Sequence, residues 1–101
     1  MRIYLDDERS TPPGWTWVDW PDKAIALLQR GGVAKISLDH DLGDDQRGTG
    51  YAVVAWIEEA VVTRGFLPPA IRVHSANPAA RQRMEAGIAA IQRHVERRTG
   101  A

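Results

Sequence analysis

The chain has no cysteine, which excludes disulfide frameworks, thiolate metal sites and cysteine nucleophiles and leaves oxygen and imidazole to hold any metal. No apolar run approaches the ~20 residues of a membrane-spanning helix. The N-terminus lacks the basic-then-apolar pattern of a secretory signal, so a cytoplasmic location without a membrane is the expectation. Net charge is absent as well: 13 Lys and Arg balance 13 Asp and Glu. A protein that grips nucleic acid by bulk electrostatics needs a basic footprint, and no extended surface of that kind is evident here. Lysine is scarce, with only Lys23 and Lys35, and neither follows the end of an apolar run. No internal repeat and no low-complexity segment interrupts the chain.

What is present is an ordinary globular mixture, 44% hydrophobic and 26% charged over 101 residues. That length supports one small core, so residues 1–101 read as a single domain. The charges are unevenly spread: residues 1–45 hold nine acidic against five basic side chains, and residues 46–101 hold four against eight. The Arg-rich C-terminal part reads first as a solvated helix face with cations favourably placed near a helix C-terminus.

Periodicity and punctuation divide the chain into seven elements. Arg2 to Asp6 reads as a buried strand, closed by polar residues and the turn signal Pro12-Pro13-Gly14. Trp15 to Val18 reads as a second short strand. Pro21 suits the first turn of a helix with Ala24, Ile25, Leu27 and Leu28 as its apolar stripe, stopped by Gly31-Gly32. Ala34 to Leu38 is the third strand, and a polar loop from Asp39 to Gly50 leads to a helix over Tyr51–Arg64 with Val54, Ile57 and Val61 at helical spacing. Ile71 to His74 is the fourth strand. Asn77-Pro78 caps and opens a last helix whose buried face is Met84, Ile88, Ile91 and Val95. Short strands alternating with helices predict an α/β fold with a mostly parallel sheet, here four strands in the order 2-1-3-4 with three helices in a small three-layer, flavodoxin-like sandwich. Strand two is the weakest element to place, because its link to strand one is too short for an ordinary crossover helix.

Three polar clusters follow three of the apolar runs: Asp6-Asp7-Glu8-Arg9, Asp39-His40-Asp41 and His74-Ser75-Ala76-Asn77. A parallel sheet carries its working groups at the carboxyl ends of its strands, so the clusters share one edge. Asp6, Asp7 and Asp39, with Asp41 beside them, repel one another unless a cation neutralises them, and such hard oxygen donors suit Mg²⁺ or Mn²⁺. For any one of these residues, ending a strand and opening a turn is the commoner use. His40 and His74 are candidates for proton transfer near neutral pH or for metal ligation, with Asp39 as a catalytic partner. Ser75 and Asn77 are candidates for holding phosphate oxygens, against readings as a local backbone acceptor and a helix N-cap. Arg9 reads evenly as a bidentate phosphate contact or as the neutraliser of Asp6 or Asp7. The rings of Trp15 and Trp17, two apart, share a strand face, where covering the sheet outweighs stacking a nucleobase.

These residues also carry a family resemblance. Leu5-Asp6-Asp7, Ser37-Leu38-Asp39 and His74-Ser75-Ala76 resemble the acidic pair, the phosphoacceptor strand and the Ser/Thr-Ala switch of response-regulator receivers. The fuller set LDDER, SLDHDLG, GTGY, Trp56 and HSANP is similar to the receiver-like family described as cyclic-phosphate-processing receiver domains, from about Ile3 to Ile91. The resemblance implies a receiver-type fold and a role in handling cyclic phosphates during RNA end processing or repair. An ordinary receiver has a fifth strand ending in a lysine; this chain offers one long helix after Ser75 and no lysine there. The expected activity is therefore a divalent-metal-dependent phosphoesterase acting on a cyclic phosphate, with a phosphate-containing small molecule or an RNA terminus as the partner. A receiver phosphorylated on Asp39 and a non-catalytic phosphate- or partner-binding module are the alternatives.

Overall fold

Alternation along four short strands sorts their residues onto two faces, and only one of those faces is apolar. In the computed structural model, which describes residues 1–8 and 10–98, the strands are β1 (Arg2–Leu5), β2 (Thr16–Val18), β3 (Lys35–Leu38) and β4 (Ala70–Val73). The helices are α1 (Pro21–Arg30), α2 (Gly50–Arg64) and α3 (Pro78–Arg98). All strand pairs are parallel, in the order β2-β1-β3-β4. Ile3, Leu5, Val18, Ile36, Leu38 and Val73 point to one side and form a single core with Leu28 of α1, Val53, Val54, Ile57 and Val61 of α2, and Met84 and Ile91 of α3.

The short link between β1 and β2 does allow a parallel pair. An extended segment of ten residues reaches up to about 33 Å, well beyond the ~13 Å length of these strands. The loop turns at Pro12, whose carbonyl accepts the Trp15 N–H at 3.2 Å. By Gly14, where φ is 85°, it has returned to the guanidinium of Arg2 at the start of β1.

The receiver-like α/β arrangement holds, but the expected third layer is absent among the described residues. The connections β2-α1-β3 and β3-α2-β4 step in the same direction across the sheet, and right-handed crossovers then put both helices on one face. α2 accordingly packs between α1 and α3, which follows β4 back along the same side. Gly87 of α3 allows this contact, since a Cβ there would stand 2.7 Å from Cγ1 of Val54. A helix on the other face would have to come from the β1 to β2 connection, which steps the opposite way and is a loop. None of the described helices is long and apolar enough to cross a membrane.

Candidate functional site

The parallel ladder runs one residue past the strand ends. The Asp6 N–H donates to the Val18 carbonyl at 3.1 Å, the Asp39 N–H to Leu5 at 2.9 Å and the His74 N–H to Leu38 at 2.9 Å. Leu5 is in register with Leu38, and Leu38 with Val73. Asp6, Asp39 and His74 therefore form the next row across the sheet, with all three side chains on the helix-free side. One donor atom from each lies within 4.8 Å of the other two, the one such grouping among the described residues.

His74 is fixed from three directions. Its Nδ1 is 2.7 Å from Oγ of Ser37, its Nε2 is 3.0 Å from Oδ2 of Asp6, and its ring stacks on Tyr4 at 4.4 Å between centroids and 3° between planes. The second Asp6 oxygen, Oδ1, accepts the Glu8 N–H at 2.9 Å. Oδ1 of Asp39 accepts the His40 N–H at 2.8 Å. Burial pushes the Asp39 carboxyl above the usual range, and the charges of Asp6 and Asp7 add to this; the His40 hydrogen bond and His74 oppose it. The Tyr4 phenol is raised by burial and then by the charges of Asp6 and Asp39. A carboxyl whose ionised form is disfavoured by burial and by acidic neighbours, set beside a second carboxylate and an imidazole, forms a donor set suited to a divalent cation. The 3.0 Å between Asp6 Oδ2 and His74 Nε2 also equals the spacing of two ligands at right angles with bonds of about 2.1 Å.

The remaining sequence candidates build the wall beside this row. Asp7 is exposed, and its carboxylate is not one of the converging donors. Nor is that of Asp41, which lies 2.9 Å from Nδ1 of His40 and accepts a second hydrogen bond from the Asn77 side chain; these partners, His40 first, hold its carboxyl below the usual range. His40 is 8% exposed, and its carbonyl accepts the Gly50 N–H at 3.1 Å. Oδ1 of Asn77 accepts the Ala80 N–H at 3.2 Å, capping α3, while Oγ of the buried Ser75 accepts the Asn77 N–H at 3.1 Å. These groups tie the 39–42 loop to the start of α3. Arg9, the expected phosphate contact, lies outside the described residues. Gly50 lets α2 begin directly against the loop, since a Cβ there would overlap the Asp39 carbonyl oxygen.

Tyr4 and Ser37 belong to the site and were missed by motif reading. The signal was available, because each stands two residues before a cluster aspartate and so shares its strand face. Lysine is absent from the row: Lys23 pairs with Asp19 at 2.8 Å, and Lys35 begins β3 at the opposite end of the sheet.

A family model described as the cyclic-phosphate processing receiver domain matches residues 1–90 of the chain. No curated protein and no solved structure matches it.

Proposed function

The chain belongs to the cyclic-phosphate processing receiver domain family, and on that premise we propose that it is a divalent-cation-dependent phosphoesterase that opens a cyclic phosphate, with an RNA terminus as the natural carrier. The observation that carries this reading is the convergence of Asp6, Asp39 and His74 within 4.8 Å. These three residues would hold the cation, with Mn²⁺ a better match than Mg²⁺ because one donor is an imidazole. When bound, the cation would polarise a phosphate oxygen and balance the charge developing on it.

The chain's own groups account for the rest. Ser37 and Tyr4 hold the His74 ring in one orientation, so that the imidazole meets the two carboxylates without reorganising. Oδ1 of Asp39 accepts the His40 N–H and keeps a second lone pair for the cation, which leaves Oδ2 to take a proton from the attacking water. The water oxygen bonds to phosphorus, one P–O ester bond breaks, and the proton passes to the departing alkoxide. One water is consumed and a phosphomonoester with a free hydroxyl results. His40, Asp41, Ser75 and Asn77 act as positioning residues that keep the 39–42 loop against α3.

The second reading, phosphorylation of Asp39 as in a signalling receiver, has the shared acidic pair in its favour and no lysine at the strand ends to contact the phosphoryl group. The two readings separate in one experiment. Incubation with a nucleoside 2′,3′-cyclic phosphate and Mn²⁺, followed by phosphorus NMR, gives a monoester product that chelation abolishes. Asp39→Asn and His74→Ala each reduce the rate by about a hundredfold or more with the fold retained. An acyl phosphate on Asp39 after treatment with acetyl phosphate, with no hydrolysis of the cyclic ester, overturns the proposal in favour of the second reading.

A further inference from the structure

The helix-free face carries more than the strand-end row. Register places Tyr4 beside Trp17 and Ser37, and Ser37 beside Arg72; one step further from the strand ends, Arg2 is in register with Lys35, and Lys35 with Ala70. Going down the face, the rows read Asp6-Asp39-His74, then Trp17-Tyr4-Ser37-Arg72, then Arg2-Lys35-Ala70. Arg2, Lys35 and Arg72 are all exposed, and among the described residues none of them pairs with a carboxylate. The first row is acidic, and the two below it contain three cations and no anion. Trp15 closes over this area, 5.6 Å from the Arg2 guanidinium and edge-on to Tyr4 at 6.1 Å. Together with Lys35, Ala70, Ile71 and Arg72 it walls a recess of about 240 Å³, large enough for a nucleobase.

We propose that this face is a docking track for single-stranded nucleic acid whose terminal phosphate lies at the Asp6-Asp39-His74 row. The inference deepens the phosphoesterase reading and rests on it for the identity of the terminal group. The charge pattern is what selects the occupant. A polyanion matches three cations that pair with no carboxylate among the described residues, set about 7 and 13 Å below the acidic row, one and two strand repeats. Aromatic walls beside cations are the usual means of holding single strands without reading their sequence. A protein partner covering the same face would meet charged side chains where a core interface needs apolar ones. In sequence the three cations are separated by 33 and 37 positions, so no basic stretch marks them; folding brings them together.

The test uses a fluorescently labelled hexaribonucleotide with a 3′-terminal phosphate, in EDTA, with binding followed by anisotropy across a salt series. Three phosphate contacts on a single strand give a log–log salt slope of about −2. The triple variant Arg2→Gln, Lys35→Gln, Arg72→Gln flattens the slope towards zero and weakens binding at low salt by at least about thirtyfold. A thermal melt checks that this variant folds; should it not, the single Lys35→Gln, which reduces the slope by about one third, is decisive in its place. Wild-type hydrolysis of the mononucleoside cyclic phosphate is measured alongside. Salt-dependent binding that the variants weaken, without wild-type hydrolysis, supports the docking track and removes the phosphoesterase reading. Hydrolysis without oligonucleotide binding leaves that reading standing and overturns the track. So does sedimentation showing a wild-type dimer that the triple variant breaks, because the face would then belong to a second copy.

Discussion

The two faces of one four-stranded sheet divide the work of this protein between them. The covered face presents Ile3, Leu5, Val18, Ile36, Leu38 and Val73 to three helices. The open face, built from the intervening residues of the same strands, presents Tyr4, Asp6, Ser37, Asp39, Arg72 and His74. Adjacent residues thus answer to different demands, and a single step along the chain changes which one applies. Leu38 and Asp39 make the sharpest pair: the first is fully buried among aliphatic side chains, and the second faces another carboxylate.

Leu38→Ala carries the largest expected effect. Leu38 is 0% exposed, and removing its side chain from a packed core costs about 3–4 kcal/mol, a large share of the stability of a domain this size. Urea denaturation should show the midpoint fall, with activity following the folded fraction. An unchanged midpoint would mean that the covered face is not the core.

Gly50→Ala is next and tests where the two faces meet. Alanine at a helix start is intrinsically better than glycine, yet here its Cβ would overlap the Asp39 carbonyl oxygen. The forced shift costs about 1–3 kcal/mol. Because the displaced backbone carries Asp39, Mn²⁺-dependent hydrolysis should drop further than the loss of folded protein explains. Equal losses in both measurements would separate the helix start from the site.

Asp39→Asn should have the opposite sign on stability. Burial raises the Asp39 carboxyl in the folded protein, so the fold disfavours its ionised form. That handicap is complete above the folded pKa and is relieved as pH falls through it. Asparagine removes the charge and keeps an acceptor for the His40 N–H, so the metal-free variant should be more stable at neutral pH by about 1 kcal/mol, with the gap closing in acid. Adding Mn²⁺ should stabilise wild type and not the variant, reversing their order. Thermal melts with Mn²⁺ and with EDTA read both effects, and a wild type indifferent to Mn²⁺ would count against the cation.

Most of the fold was legible in the chain because its signals are local. Proline at the start of α1 and α3, glycines at the helix ends and short apolar runs located all seven elements, and the strand order is that of the receiver-like, flavodoxin-type arrangement they resemble. The third layer belongs to the general α/β pattern, whereas here the described residues of the β1 to β2 link form no helix. At the site, the aspartates and His74 were visible as strand-end clusters. Tyr4 and Ser37 were not, since a tyrosine or serine inside an apolar run looks like strand material until the partner strand supplies a histidine. Asp7, Asp41 and His40 were grouped with the converging residues by proximity in sequence, but a turn lets neighbouring side chains diverge, and two of these three brace the loop.

Asp41 marks the boundary of the comparison, since it belongs to neither face and its effect should be the smallest. His40, then Asn77, hold its carboxyl below the usual range, so its stabilising contribution is complete above the unfolded pKa and disappears as pH falls through the folded one. The side chain is 61% exposed, and such a pair is worth about 0.5 kcal/mol, reduced further by salt. Asp41→Asn should therefore lower the melting temperature slightly at pH 7 and not at all in strong acid. Its influence on the site should exceed that figure, because Asp41 joins the 39–42 loop to the cap of α3. A loosened loop affects how often Asp39 and His74 stand together rather than what either does. Hydrolysis by this variant should then decline by a few fold with the metal dependence unchanged; a collapse comparable to that of Asp39→Asn would instead make Asp41 a direct participant and extend the functional row beyond the strand ends.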